Sequence, residues 1–308
     1  MNIYPVIIVL LLVKNYSDLV YNKQMLRKKK LLITGAGGTL AGYAPKIFSP
    51  YELILTNRDI LDVTNFKQVL AVLRDIKPDL VIHLAAKTDV DLCEKQPELA
   101  YEVNGVGTKN IAEASKRNHI KLCYVSTAAV FDGVKSSFIE SNKTNPLNEY
   151  GKSKLAGEKF IQDICQDYLI VRIPWLIGGG KKEKKFISYI LKQIQAAADL
   201  HVVNDTFGNL AYAPAVLNFI RNCIEEHRAG LFHFGSKTKC SRYEIAKKLI
   251  QLTGKRISIK PVSSSYFQAH FFSPRPKHEV IYSEKMPLTM TWQNMLESYY
   301  RTELSTLV

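Results

Sequence analysis

Cysteine is scarce and poorly placed for chemistry. The 308 residues hold five, Cys93, Cys123, Cys165, Cys223 and Cys240, widely spaced and without a C-x-x-C pair. An odd, scattered set argues against a disulfide framework and against a zinc site, and it fits a reducing cytoplasm. The histidines (His83, His119, His201, His227, His233, His270, His278) lack metal-ligand spacing, so no catalytic metal is expected. Long hydrophobic runs are missing too. The apolar stretch Ile3 to Val13 falls short of the roughly 20 residues a spanning helix needs, and it has neither a basic leading region nor a small-x-small cleavage site. No stable membrane insertion is expected. Met25 comes just before the first strand pattern, so residues 1–24 are expected to be an N-terminal extension or a mis-assigned start. No repeat or low-complexity segment stands out.

Basic charge is in excess: 42 Lys and Arg face 28 Asp and Glu, a formal net charge of +14. Such an excess suits nucleic acid, an anionic membrane surface or an anionic small substrate. Here it is spread along the chain, with tight clusters only at Arg27 to Lys30 and Lys181 to Lys185. No zinc finger, RNA-recognition strand motif or basic helix with interleaved aromatics accompanies it, so no nucleic-acid partner is expected. With 46% apolar and 23% charged residues the composition is that of a globular protein.

From Lys30 onward, short β-rich apolar runs alternate with helix-length amphipathic stretches, the pattern of βαβ units around a parallel sheet. Strands are predicted at Leu31–Thr34, Glu52–Thr56, Leu80–Leu84, Lys121–Ser126 and Leu169–Ile173, with helices near 39–48, 64–75, 97–117 and 150–165. Each strand is nearly continuously apolar, as expected where helices cover both faces. After Trp175 the rhythm breaks at Gly178-Gly-Gly180. The expected architecture is α/β, a doubly wound parallel sheet of the Rossmann kind over residues 25–175. A second, smaller α/β substrate-binding region over 176–308 follows, some of whose segments can pack back on that sheet.

The first strand runs into Thr34-Gly-Ala-Gly-Gly-Thr-Leu-Ala-Gly42 and then a helix. Glycines let the backbone approach a pyrophosphate closely, and a helix N-terminus supplies free N–H groups. Gly35, Gly38, Thr39 and Leu40 are therefore the first residues expected against a dinucleotide; a plain tight turn is the alternative. The second strand ends without the acidic residue that would bind an NAD ribose and offers Asn57 and Arg58 instead. Arg58 suits a 2′-phosphate, which favours NADP(H) and leaves NAD(H) as the alternative. Asp62 is a candidate for the adenine amino group or for a helix cap before Thr64.

A Tyr four residues before a Lys on a helix puts both side chains on one face, where the ammonium can lower the phenol pKa. Two such pairs occur, Tyr150/Lys154 and Tyr243/Lys247. Tyr150/Lys154 follows a strand ending in Val125-Ser-Thr127, whose hydroxyls fall at the carboxyl edge of the sheet, where ligands bind in such folds. Tyr243/Lys247 has no such partner and reads as a surface pair.

Here the chain resembles the extended short-chain dehydrogenase/reductase superfamily and, within it, the dTDP-4-dehydrorhamnose reductase family. The resemblance runs from about Lys29 to Leu304. It rests on Leu61-Asp-Val-Thr64, the stretch Pro78 to Glu94, Val103-Asn104, Val125-Ser-Thr127, Val130-Phe-Asp-Gly133, Tyr150-Gly-Lys-Ser-Lys-Leu-Ala-Gly-Glu158, Val171-Arg172 with Trp175, Val202-Val-Asn-Asp205 with Phe207-Gly208, and Arg275-Pro276.

The resemblance implies an NADPH-dependent oxidoreductase that reduces C4 of a nucleotide-linked 4-keto-6-deoxy sugar, giving dTDP-L-rhamnose, in cell-surface polysaccharide synthesis. Thr127 would help bind the carbonyl, Tyr150 would donate the proton, and Lys154 would hold the nicotinamide ribose and tune Tyr150. Ala85, Ala86 and Lys87 would line the cofactor, with Asn104 supporting them or serving as a buried amide. Trp175, Asp205 and Arg275 are the substrate-side residues: Trp175 for stacking on sugar or base, Arg275 for the diphosphate, with core packing or a surface salt bridge as the alternative for each. A homodimer is also implied. Two departures, Ala128-Ala129 for Asp-Tyr and Leu210-Ala211 for Pro-Thr, are expected on the sugar-nucleotide side. They keep open a related reductase or epimerase. A non-catalytic subunit, such as the regulatory subunit of methionine adenosyltransferase, is the alternative from another class.

Overall fold

A computed structural model describes residues 27–183, 185–270 and 272–307; the N-terminal segment 1–24 lies outside the described residues. The first strand, β1 (Lys30–Thr34), leads through the glycine loop into the short helix α1 (Ala44–Ile47). There follow β2 (Glu52–Thr56), α2 (Phe66–Ile76), β3 (Leu80–His83) and α3 (Val90–Lys95). The expected helix 97–117 is built in three parts: Pro97–Tyr101, a wide π-type turn Glu102–Val106, and Gly107–Arg117, together α4. Then come β4 (Lys121–Thr127), α5 (Glu149–Ile164) and β5 (Tyr168–Ile173).

These five strands stand where the sequence places them, and a sixth joins them. The sheet is all parallel in the order β10-β5-β4-β3-β1-β2, where β10 is Gly230–His233. Period-two alternation sends its side chains to opposite faces. Leu31, Ile33, Ile82, Cys123, Leu169 and Val171 pack on α1 and on α7 (Ala213–Glu225). Leu32, Val81, Leu122, Tyr124 and Ile170 pack on α2, α4 and α5. Thus α7 and β10, both from beyond residue 176, close one face and one edge of the sheet.

The rest of the second region comprises β6 (Trp175–Ile177), α6 (Phe186–Gln195), β7 (Leu200–Val203), β8 (Phe207–Gly208), β9 (Leu210–Tyr212), β11 (Cys240–Ser241), α8 (Arg242–Thr253), β12 (Ile259–Val262), β13 (His278–Glu279) and α9 (Trp292–Tyr299). It has its own core, in which Ile187, Ile190, Leu200, Ile245, Leu249 and Leu296 are buried together. Ser241 opens α8 through a reciprocal capping box with Glu244. Among the described residues no helix is long and apolar enough to cross a membrane.

Candidate active site

The carboxyl ends of β1, β3 and β4 open into a cleft of about 1830 Å³ that also reaches α6, β7 and the segment 264–276. Its wall carries Gly35, Gly38, Thr39, Leu40, Arg58, Asp62, Ala85, Ala86 and Lys87 together with Thr127, Tyr150, Lys154, Trp175 and Arg275. Of the candidate catalytic, cofactor-side and substrate-side residues, Asn104 and Asp205 do not line it.

Gly35 shows why the loop needs glycine. Its φ is +75°, and a Cβ there would sit 2.7 Å from the Ala85 nitrogen, so β1 and the turn after β3 can meet only without a side chain. At Gly37 a Cβ would meet nothing within 4 Å, leaving backbone open to the cleft. The turn itself is held by Thr34, whose Oγ1 accepts from the Leu84 and Ala85 amides at 3.1 Å each. With both lone pairs engaged, the Thr34 hydroxyl donates to His83 Nδ1 at 2.7 Å. The imidazole is then the Nε2–H tautomer, donating to Thr108 Oγ1 at 3.1 Å, and Thr108 donates to the Asn104 carbonyl at 2.6 Å. Burial agrees, pushing the His83 pKa down to about 3, so the ring is neutral.

Asn104 completes this chain from behind the cleft. Fully buried, it accepts from the Lys87 amide at 2.8 Å and donates to the Lys87 carbonyl at 3.0 Å and to Ser153 Oγ at 2.9 Å. Ser153 donates in turn to the Tyr150 carbonyl. Instead of presenting its amide to the cleft, Asn104 fixes both the Ala85–Lys87 turn and the start of α5, so among the residues expected at the cofactor it is a positioning one.

Lys154 is 3% exposed. Its ammonium donates to the Val125 carbonyl at 2.9 Å and lies 4.0 Å from the Tyr124 ring centroid. Burial lowers its pKa to about 7, with Glu158 opposing the fall. Tyr150 is pushed up to about 12 by burial, while its hydrogen bond with Thr127 pulls the other way. The phenol is therefore protonated at neutral pH and set to donate. Thr127 Oγ1 also accepts from the Ala129 amide at 3.1 Å.

Below these groups Glu158 takes a two-point contact from Arg172, Nε to Oε1 at 2.9 Å and Nη2 to Oε2 at 2.6 Å, plus the Ser126 hydroxyl. This buried pair, tying α5 to β4 and β5, was not singled out in the sequence beyond its place in the motifs. At the cofactor end, Arg58 is mostly exposed and lies 3.6 Å from Asp62. The Asp62 carboxylate is engaged by the Thr64 hydroxyl at 2.7 Å and the Thr64 amide at 3.0 Å, and these bonds hold its pKa below the usual range. It anchors its own turn, while Asn65 caps α2.

On the substrate side, Trp175 and Arg275 line the cleft and also have partners within the protein. Trp175 carries the guanidinium of Arg242 at 3.8 Å from a ring centroid, and a Cβ at Gly208 would lie 2.6 Å from the indole. The indole is thus packed against protein and supports Arg242. Arg275 donates to Asp91 at 2.8 Å. Asp205 lies outside the cleft wall and accepts from the Ser264 amide and hydroxyl at 2.8 and 3.1 Å, so it holds the segment whose Ser264, Ser265 and Phe267 do line the cleft. The departures also fall elsewhere. Ala128 and Ala129 are buried beneath β4, and Leu210-Ala211 lie in β9, paired with β6. Asn209 ties the Ile281 backbone to Ser236. None of these residues lines the cleft, because strand pairing and core packing absorb them. Tyr243 and Lys247 stand on α8 outside the cleft wall, whereas their neighbour Arg242 is part of it. Nothing in the local sequence beyond the cap Ser241-x-x-Glu244 marks that arginine.

The family model described as the RmlD substrate binding domain matches residues 29–305. A dTDP-4-dehydrorhamnose reductase of Aggregatibacter actinomycetemcomitans is 32% identical over 227 residues, 70% of this chain and 76% of the relative. The chain belongs to the dTDP-4-dehydrorhamnose reductase family. The spore coat polysaccharide biosynthesis protein SpsK of Bacillus subtilis is 30% identical over 82% of this chain and 88% of its own length. Among solved structures, the dTDP-4-dehydrorhamnose reductase of Bacillus anthracis in complex with NADP superimposes with a TM-score of 0.85 at 31% identity, covering 89% of this chain and 99% of that one. The Yersinia enterocolitica reductase gives a TM-score of 0.85 at 36% identity, covering 90% and 100%. At the level of family, the chain is an NAD(P)-dependent oxidoreductase of the sugar-nucleotide reductase type.

Proposed function

We propose that this protein reduces the C4 keto group of a nucleotide-linked 4-keto-6-deoxy sugar with NADPH, with dTDP-4-dehydrorhamnose as the leading substrate and dTDP-L-rhamnose as the product. The observation that carries the reading is one wall of one cleft. A glycine cradle stands at one end of it, and a protonated, half-buried Tyr150 beside Thr127 and Lys154 stands at the other.

The residues present fit the cofactor. Backbone at Gly35–Gly38 suits its diphosphate, Arg58 its 2′-phosphate, Ala85–Lys87 the adjoining part, and Lys154 the nicotinamide ribose. When bound, NADPH supplies the hydride that C4 receives. The carbonyl oxygen, held by the Thr127 hydroxyl, takes the Tyr150 proton as negative charge develops on it, and the ketone becomes an alcohol. Lys154, charged, stabilises the tyrosinate that remains. The protein is placed in the cytoplasm, acts on a nucleotide sugar without nucleic acid or stable membrane insertion, and works as a homodimer.

The test is NADPH and NADH oxidation measured in parallel with a panel of nucleotide-linked 4-keto-6-deoxy sugars. Turnover with at least one of them, faster with NADPH, is expected. Tight NADPH binding with no turnover on any member would overturn the assignment and favour a non-catalytic subunit.

A further inference from the structure

Arg242 is an arginine of the cleft that this reaction leaves unused. It lines the cavity beside Trp175 and Glu279 and is half-buried. Its guanidinium packs 3.8 Å from the Trp175 ring centroid and 4.9 Å from that of Phe186. The other arginines at or beneath the cleft are committed: Arg275 to Asp91 at 2.8 Å, Arg172 to Glu158 at 2.6 Å, and Arg58 to Asp62 at 3.6 Å. Among the described residues, Arg242 meets no carboxylate or carbonyl in hydrogen-bond or ion-pair contact.

A guanidinium withdrawn this far from water costs free energy unless its donors are used. Burial indeed lowers the Arg242 pKa, and the Glu279 carboxylate only partly offsets that. Two aromatic rings flank the guanidinium of a side chain that lines the cleft. A rigid fork with unused donors matches the paired oxygens of a phosphate, and charge-assisted two-point contacts of this kind are the strong ones.

The anionic groups nearby leave room for such a ligand. Glu183 accepts from the Lys185 and Ser188 amides at the start of α6. Asp91 is taken by Arg275 and by the Phe272 and Ser273 amides. Glu279, which also lines the cleft, is drawn by burial toward its neutral form, with Arg242 and Arg275 pulling the other way.

We infer that Arg242, held against Trp175 and Phe186, binds the diphosphate of the sugar nucleotide, the role that the sequence suggested for Arg275. The inference rests on reading the cleft as a sugar-nucleotide site, and its test does not depend on turnover.

With protein saturated in NADPH, calorimetric titration compares dTDP, UDP and dTMP on the wild type, Arg242→Gln, Arg242→Lys and Arg275→Gln. The wild type should bind a nucleoside diphosphate more tightly than dTMP. Arg242→Gln should weaken the diphosphate by roughly ten- to a hundredfold and erase its advantage over dTMP, with NADPH affinity unchanged. Arg242→Lys, which keeps the charge without the fork and so guards against a folding defect, should fall between. Arg275→Gln should lose less than Arg242→Gln. Unchanged diphosphate affinity in Arg242→Gln, equal losses for dTDP and dTMP, or a wild type that binds neither diphosphate would each overturn the inference. Failure of every keto sugar to turn over, with these isotherms intact, would count against the reductase reading alone.

Discussion

The chemistry of single residues turns on one lysine. Burial brings the Lys154 pKa to about 7, so its charge is half lost at neutrality in the free protein, while Tyr150, at about 12, stays protonated. Reduction needs both protons in place. We therefore expect kcat/KM for the keto sugar to decline as pH rises from 6 through 9, tracking loss of the Lys154 proton, and a Lys154→Arg variant to move that decline to higher pH. A flat pH–rate profile over this range would contradict the assignment. The linked effect on stability has a definite sign. The folded-state pKa lies below the unfolded value near 10.4, so the folded protein binds fewer protons between about 7 and 10.4. This residue then makes stability rise with pH across that window. That Tyr150, Lys154 and Thr127 meet at one cleft was legible in the sequence because helical spacing and the strand end fix their relation. Arg242 and Glu279 were not, since only tertiary packing turns an α8 residue and a β13 residue toward one cleft.

Among the elements, α4 carries the lesson. Its pattern predicts one helix across 97–117, and the chain interrupts it with the π-type turn Glu102–Val106. The cause is tertiary. A Cβ at Gly107 would lie 2.7 Å from Val63 Cγ2, and the widened turn delivers Asn104 to the Lys87 backbone and Ser153. Such insertions recur at functional sites and leave no mark on hydrophobic periodicity. Asn104→Ala removes the side-chain partner of the half-buried Lys87 amide and carbonyl, a loss of about 1 kcal/mol. It should lower the denaturation midpoint and raise the KM for NADPH more than that for the sugar nucleotide. A variant with wild-type KM for NADPH would show that the turn after β3 does not depend on Asn104.

At the scale of the whole molecule, the break in rhythm at Trp175 marks a change of architecture without marking an independent unit. The later chain returns α7 to cover Leu31, Ile33, Ile82 and Val171, and β10 pairs along β5 from Gly230↔Leu169 to His233↔Arg172. A fragment ending at residue 175 should therefore expose one face of its sheet and be degraded by limited proteolysis under conditions where the full chain resists. A protease-resistant fragment with cooperative unfolding would contradict this. The sixth strand escaped sequence reading because Gly230–His233 comes after the break in rhythm and its pairing partner lies far back in the chain. The five strands read correctly are the ones whose apolar runs are flanked by their own helices.

All three scales meet at the cleft, which both the cradle at Gly35 and Tyr150, the proposed proton donor, line. The most direct test of that joint role is isotope transfer. Wild-type protein is supplied with NADPH deuterated at nicotinamide C4 and with a dTDP-linked 4-keto-6-deoxy sugar, and the product is analysed by mass spectrometry and NMR. One deuterium at sugar C4 is expected, with Tyr150→Phe lowering the rate by about 10²–10⁴ while NADPH binding is retained. A product without deuterium at C4, or a Tyr150→Phe variant as fast as wild type, would contradict the account.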